Sequence, residues 1–327
     1  MMNYEEFKQS LLERLEENKP DNVLKFSLHT TRRTNEDSTD IITLMYSDVS
    51  NLSPIFYLKD MYAAYEQGMH EIDEYVRDII DYVKKQQDQE NYFDIADICR
   101  ERAEECLKLR IYNREWNGNI ERSCTHINMN DLMAVPIWET HFNGESGTIT
   151  IDKGMQREIL KMTDDELLSI ASRNTMNEHY ELKSMRESLL DCMEEYDETY
   201  MDELVPDDVM YVLSNKERCL GSTAILVKPV LRMAKEKLGE NYFVLPSSIH
   251  ETILVKESKV DSPEALRQMV KEVNATCVSQ KEVLGENVYR FDGRRLQICN
   301  TTKEWKQQMD NEMSMSVDRT MQRRVGL

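Results

Sequence analysis

Ser247, Ser248, His250 and Glu251 stand between two apolar runs, Val244-Leu245 and Ile253-Leu254-Val255. Two hydroxyls, an imidazole and a carboxylate are the residue types of acyl transfer, in which a base takes the proton of a serine nucleophile. If the segment is extended, positions 248 and 250 share one face, so a serine–imidazole contact is geometrically open. A hydrolase site around these four residues is therefore one reading. Against it, no G-x-S-x-G elbow surrounds either serine, and triad partners ordinarily come from distant parts of a chain. The second reading is architectural. Pro246 begins a turn, the hydroxyls bond free backbone groups, and His250 and Glu251 act as surface or cap partners. We expect the second reading and assign no catalytic residue; these four are the candidates.

Other site chemistries have weaker support. His250-Glu251 would need a second imidazole at position 254 to bind zinc as H-E-x-x-H, and that position is Leu254. His29, His70, His126, His141 and His179 show no paired spacing. The acids between Met193 and Asp208 lack the spacing and turn glycine of a calcium loop. Ten glycines occur in all, and Gly144, Gly147 and Gly154 are not followed by the Lys-Ser/Thr of a phosphate loop. No metal and no cofactor is expected.

A net charge of −20 repels phosphate backbones and anionic lipid, which disfavours direct nucleic-acid and membrane binding. Arg319, Arg323 and Arg324 are read as compensation at a helix C-terminus. No apolar run approaches the roughly 20 residues of a membrane span, and Met1-Met2-Asn3-Tyr4-Glu5-Glu6-Phe7 lacks the basic start of a signal peptide. A cytoplasmic location follows. Seven scattered cysteines without a C-x-x-C pair suggest reduced thiols, with Cys99 and Cys106 on one face of a helix. Twenty methionines are read as core packing.

The elements that would position the candidates are those of an α+β protein, with antiparallel or mixed sheets flanked by helices. Tyr4, Phe7, Leu11 and Leu15 recur at helical spacing. Residues 22–29 alternate, with Leu24, Phe26 and Leu28 opposite Val23, Lys25 and Ser27, and pair with Ile41 to Tyr46; Pro54 to Leu58 is a third strand. Two helices follow, the second carrying Ile72, Tyr75, Val76, Ile79, Ile80 and Val83. Lys84 to Glu90 reads as a loop and Tyr92 to Leu107 as helical. Met133 to Trp138 and Gly147 to Ile151 pair across a turn at Asn143-Gly144, and Thr163 caps a helix reaching about Ser172. Val209 to Leu213, Ser222 to Val227, Tyr242 to Leu245 and Thr252 to Val255 read as strands. Pro229 opens a helix ended by Gly239, and Ser262-Pro263 opens another. Val288 to Phe291 precedes a turn at Asp292-Gly293, and from Lys303 a helix bears Trp305, Met309, Met313, Val317 and Met321. That stripe could dock on the protein's own body or on another chain, and its own body is the expectation. The expected division is an N-terminal α+β region over 1–192, an acidic connection over 193–208, a C-terminal α+β region over 209–302 and a helical tail over 303–327.

Several of these stretches together resemble an uncharacterised family of Firmicutes proteins, a domain of unknown function often found near mobile-element genes of gut bacteria. The resemblance is carried by Tyr4-Glu5-Glu6-Phe7, by Asn51 to Leu58, and by Gly147-Thr148-Ile149 with Leu167 to Thr175. It is strongest at Met210 to Lys216, Leu245 to Glu251 and Glu272 to Thr276. The middle is more remotely similar to another uncharacterised Bacillus-type family. The resemblance implies a fold and no catalytic residue. The function expected is a non-enzymatic binding or accessory protein acting through protein contacts, with a hydrolase and an acidic nucleic-acid mimic as alternatives. A protein partner is therefore anticipated, and the oligomeric state stays open.

Overall fold

The computed structural model describes residues 2–46, 54–87, 98–142, 145–191 and 209–312. It is α+β, with three antiparallel sheets, and the chain forms two compact units. Unit 1 comprises residues 1–106, 138–149 and 154–163, and unit 2 comprises residues 107–137, 150–153 and 164–327. The expected turn at Asn143-Gly144, the acidic stretch from Met193 to Asp208, the arginines 319, 323 and 324, and Met313, Val317 and Met321 lie outside the described residues.

Unit 1 opens with α1 (Tyr4–Glu17), whose start is fixed by a reciprocal cap: Asn3 accepts from the Glu6 N–H, and Glu6 accepts from the Asn3 N–H. The hairpin of β1 (Val23–Arg33) and β2 (Glu36–Tyr46) follows, and β3 (Phe56–Tyr57) pairs with β2. A register shift between Val23 and Lys25 turns Val23 and Phe26 inward together and leaves Leu24 exposed. The simple alternation expected there is broken by that bulge. β3 is shorter than expected, because Leu58 already begins α2 (Leu58–Glu66). α3 (Ile72–Gln87) continues through Lys84 to Gln87, where a loop was expected; its acidic first turn and basic last turn suit the helix dipole. Phe7, Leu11, Leu15, Phe26, Ile42, Leu44, Val76, Ile79, Ile80 and Val83 form one core. Cys99 precedes a single 3-10 turn, and Cys106 ends the four-residue α4 (Ala103–Cys106), so they do not share a helix.

Unit 2 starts with β4 (Leu107–Asn113), which the helical reading of Tyr92 to Leu107 did not anticipate. After α5 (Gly118–Ser123) and β5 (Ile127–Met129) comes β6 (Leu132–Phe142), whose residues from Trp138 on are counted in unit 1, as is β7 (Glu145–Thr150) up to Ile149, which pairs with β6. The order β4-β6-β5 makes the second sheet. α6 (Asp164–Met176) begins where the Thr163 signal placed it and runs four residues beyond Ser172.

The third sheet positions the candidate site. Its order is β13-β12-β10-β11-β9-β8, all antiparallel: β8 (Tyr180–Ser184), β9 (Met210–Asn215), β10 (Tyr242–Leu245), β11 (Thr252–Lys256), β12 (Tyr289–Phe291) and β13 (Leu296–Ile298). The short α7 (Met185–Leu190) follows β8. One face packs Tyr211, Leu213, Tyr242, Val244 and Leu254 against Leu231, Ala234 and Leu238 of α8 (Lys228–Leu238). The other packs Phe243, Leu245 and Val255 against Leu266 and Val270 of α9 (Pro263–Thr276) and against Trp305. α8 ends at Gly239 with φ +94°, and α9 is capped by the Ser262 hydroxyl, as expected. Trp305 belongs to α10 (302–312), which packs within unit 2 through Trp305 while Met309 on the same stripe stays exposed. Ser222 to Val227 is not a strand. Gly221–Leu226 forms a 3-10 helix entered through left-handed Leu220.

Candidate functional site

The four candidates lie on the connection from β10 to β11. Beyond Leu245 the chain keeps pairing, now with 282–284: the Ile249 N–H donates to the Glu282 carbonyl at 2.9 Å and the Leu284 N–H to the Ser247 carbonyl at 2.8 Å. Ser248 Oγ accepts from the backbone N–H of His250 at 3.1 Å. The hydroxyl thus meets the histidine's main chain, not its ring. His250 is half-exposed; its carbonyl accepts from Ser214 Oγ at 2.7 Å, and its Nδ1 accepts from the Leu220 N–H at 3.3 Å. A neutral imidazole that accepts at Nδ1 carries its proton on Nε2, and Nε2 lies 3.8 Å from Glu282 Oε1. Neither ring nitrogen then offers a lone pair to Ser247 or Ser248. Glu251 is half-buried and takes no part in these bonds.

The structure adds partners that sequence spacing did not single out. Ser222 Oγ donates to the Ile249 carbonyl at 2.8 Å, and Thr223 Oγ1 to the Leu220 carbonyl at 2.9 Å. Asn215 uses both ends of its amide on Cys219, donating to its carbonyl at 2.7 Å and accepting from its N–H at 3.0 Å. Left-handed Arg218 and Leu220 make the chain turn sharply here. Gly221 fills the tightest point: a Cβ there would sit 2.2 Å from Ser214 Oγ and 2.6 Å from both the Asn215 nitrogen and the His250 carbonyl oxygen. The signal available in the sequence was the single Gly221 beside Ser222-Thr223, close after Ser214-Asn215. The chemistry of the whole set is backbone satisfaction. Loop amides and carbonyls that no strand partner reaches are taken by side chains.

Two further polar clusters are buried in unit 2. Tyr289 donates its hydroxyl to Asp131, and Asn287 Nδ2 donates to the other carboxylate oxygen at 2.8 Å. Burial first, and the Asp131 charge second, push the Tyr289 hydroxyl far above its ordinary range, which fixes it as a donor. Arg290, 1% exposed, donates from Nε to Glu257 at 2.6 Å and from its terminal nitrogens to Glu312 of α10. Trp305 Nε1 donates to Glu257 at 2.6 Å. Burial opposes this guanidinium's charge, but the two carboxylates outweigh it and push its pKa up. Among the described residues, no group of three or more His, Cys, Asp or Glu side chains could hold a metal ion, and no helix is long and apolar enough to cross a membrane.

One open groove differs in character. It has a volume of about 650 Å³ and lies at the other end of the six-stranded sheet, lined by residues of β8, α7, β9, α8 and β11.

With the fold and these clusters described, the chain can be placed. It belongs to a family of unknown function, DUF5688, whose model matches residues 4–293. No curated protein and no solved structure matches it.

Proposed function

We propose that this protein is a non-enzymatic binding or accessory protein that acts through protein contacts, in a cytoplasmic setting linked to mobile-element biology. The observation that carries the reading is the bonding of His250: Nδ1 accepts from the Leu220 N–H, and Nε2 lies 3.8 Å from Glu282 Oε1. A general base must present a free lone pair within hydrogen-bond reach of the proton it removes, and this imidazole presents none to either serine. The acidic composition supports the same reading, since it disfavours nucleic acid and anionic lipid as partners and leaves proteins.

The test is affinity capture by the full chain from its native host, followed by reconstitution from purified components. A defined complex between the two purified proteins is expected. No reconstituted complex, together with ester or amide hydrolysis by the purified chain that His250→Ala abolishes, would overturn the reading in favour of a hydrolase.

A further inference from the structure

We propose that α10 is a strap that lifts as one piece while the rest of unit 2 stays folded, with buried Arg290 and its two carboxylates as the latch. The proposal is independent of the protein-contact reading above, because it concerns the conformations of the chain itself.

The helices of unit 2 are not held alike. α8 buries Leu231, Ala234 and Leu238, and α9 buries Pro263, Leu266 and Val270. Of residues 302–312, which make α10, none is buried. Its apolar attachment is the half-buried Trp305, whose ring meets Phe243 edge-on with centroids 5.3 Å apart. Burial of apolar surface is the dominant favourable term in folding. It anchors α8 and α9 firmly and α10 only through one side chain.

The rest of the attachment is polar. Glu312 accepts from both terminal nitrogens of Arg290 and from Asn241 Nδ2 at 3.3 Å. Trp305 Nε1 donates to Glu257, which holds the same guanidinium through Nε. At the start of the helix the Thr302 hydroxyl and N–H donate to Glu264 of α9 at 2.8 and 2.7 Å. In the middle, Gln308 Nε2 donates to the Ile298 carbonyl at 2.8 Å. Water can take over each of these bonds once the helix lifts.

That exchange keeps opening within reach. Arg290 is buried while the helix is down, so closing removes solvation from a cation and its carboxylates, and the attraction gained offsets much of that loss. Opening reverses both effects and leaves a small net difference. Losing one partner acts differently. Without Glu312, the closed form holds a buried cation beside one carboxylate instead of two, and only the closed form suffers.

The place of the strap gives its opening a consequence. β13 is the last strand of the six-stranded sheet, and a bare edge strand is a template for pairing with further strands. Two side-chain amides cover its carbonyls, Asn130 Nδ2 on Leu296 at 3.2 Å and Gln308 Nε2 on Ile298. The second leaves with α10, so the closed form guards this edge and the open form bares part of it.

The experiment is hydrogen–deuterium exchange of the full chain under native conditions, read by mass spectrometry on peptides from α8, α9 and α10. In the wild type, amides across 306–310 are expected to share one protection level, roughly tenfold or more below that of α8 and α9. Glu312→Ala should speed exchange across the same amides by about tenfold, as fits the loss of hydrogen bonds to a charged group. It should leave α8 and α9 unchanged. Glu312→Gln, which keeps an acceptor without the charge, should fall between wild type and Glu312→Ala.

Protection of α10 equal to that of α8 and α9 overturns the proposal. Exchange graded inward from residue 312, with Glu312→Ala touching only the last turn, also overturns it, because a helix end is then merely fraying. Equal acceleration of all three helices by Glu312→Ala does the same, since unit 2 would then open as a whole.

Discussion

Strands β9 and β11 run antiparallel, with Leu213 opposite Thr252 at one end and Met210 opposite Val255 at the other. At the first end the chain turns through left-handed Arg218 and Leu220, and Ser214, Asn215, Ser222, Thr223 and Ser248 all bond main-chain groups. At the second end Arg186, Lys237 and Lys256 surround an open groove. The first end holds the residue types associated with catalysis, and two of them, Ser248 and His250, accept from backbone N–H groups of an irregular chain. The second holds ordinary surface charges, gathered from positions 70 residues apart. What separates them is local supply and demand. Where sharp turns orphan amides and carbonyls, nearby hydroxyls and imidazoles are drawn to them; where regular elements end side by side, their charged side chains gather around a groove.

The contrast can be broken most directly at its tightest point. Gly221→Ala puts a methyl group against two backbone atoms, the Asn215 nitrogen and the His250 carbonyl oxygen, which have no rotamer with which to retreat. A loss of about 3 kcal/mol in urea denaturation is expected. A near-neutral result would mean that the closed end is loose.

A smaller effect should come from His250. If its ring serves as an acceptor for the Leu220 N–H, His250→Ala should cost about 1 kcal/mol. His250→Asn, whose side-chain oxygen can stand close to the Nδ1 position, should recover most of that. Equal losses in the two variants would assign the ring a different role.

The smallest effect belongs to the open end. Glu187 has a lowered folded pKa, first through the Ser184 N–H, so its carboxylate favours the folded state above the unfolded glutamate pKa of about 4.3. That contribution declines as pH falls through the lower folded value. Glu187→Gln should therefore lower stability slightly at neutral pH and leave it nearly unchanged at pH 3, which flattens the acid side of the profile, as followed by thermal melts across pH 3 to 7. A large loss at neutral pH would show that this end depends on its charges as the other depends on its hydrogen bonds.

Much of the fold was legible because periodicity and capping act over a few residues. α1, α3, α8 and α9 announced themselves by apolar spacing, and two of them by Gly239 and by Ser262-Pro263. The errors have local causes. Leu107, Leu109 and Ile111 are buried in β4, but the helical reading upstream took in Leu107 and no element was assigned to the residues after it. Ser222 to Val227 has the composition of a strand, and a tertiary fit at Gly221, closed by the Ser222 and Thr223 hydroxyls, bends it into a 3-10 helix. The candidate site was legible as a polar segment, but its state was not. Nothing near His250 in sequence reveals that Leu220, thirty residues earlier, would supply the N–H. The groove was invisible for the same reason, as its cations come from three elements with no shared spacing.

Arg290 has a practical consequence for anyone shortening this chain. The family match ends at residue 293, an inviting place to cut. Doing so would remove Glu312 and Trp305 together, leaving a guanidinium that is 1% exposed in the intact protein with half of its counter-charge and no roof. A usable fragment has to keep the strand and the helix that neutralises it on one polypeptide, so its boundary belongs beyond 312.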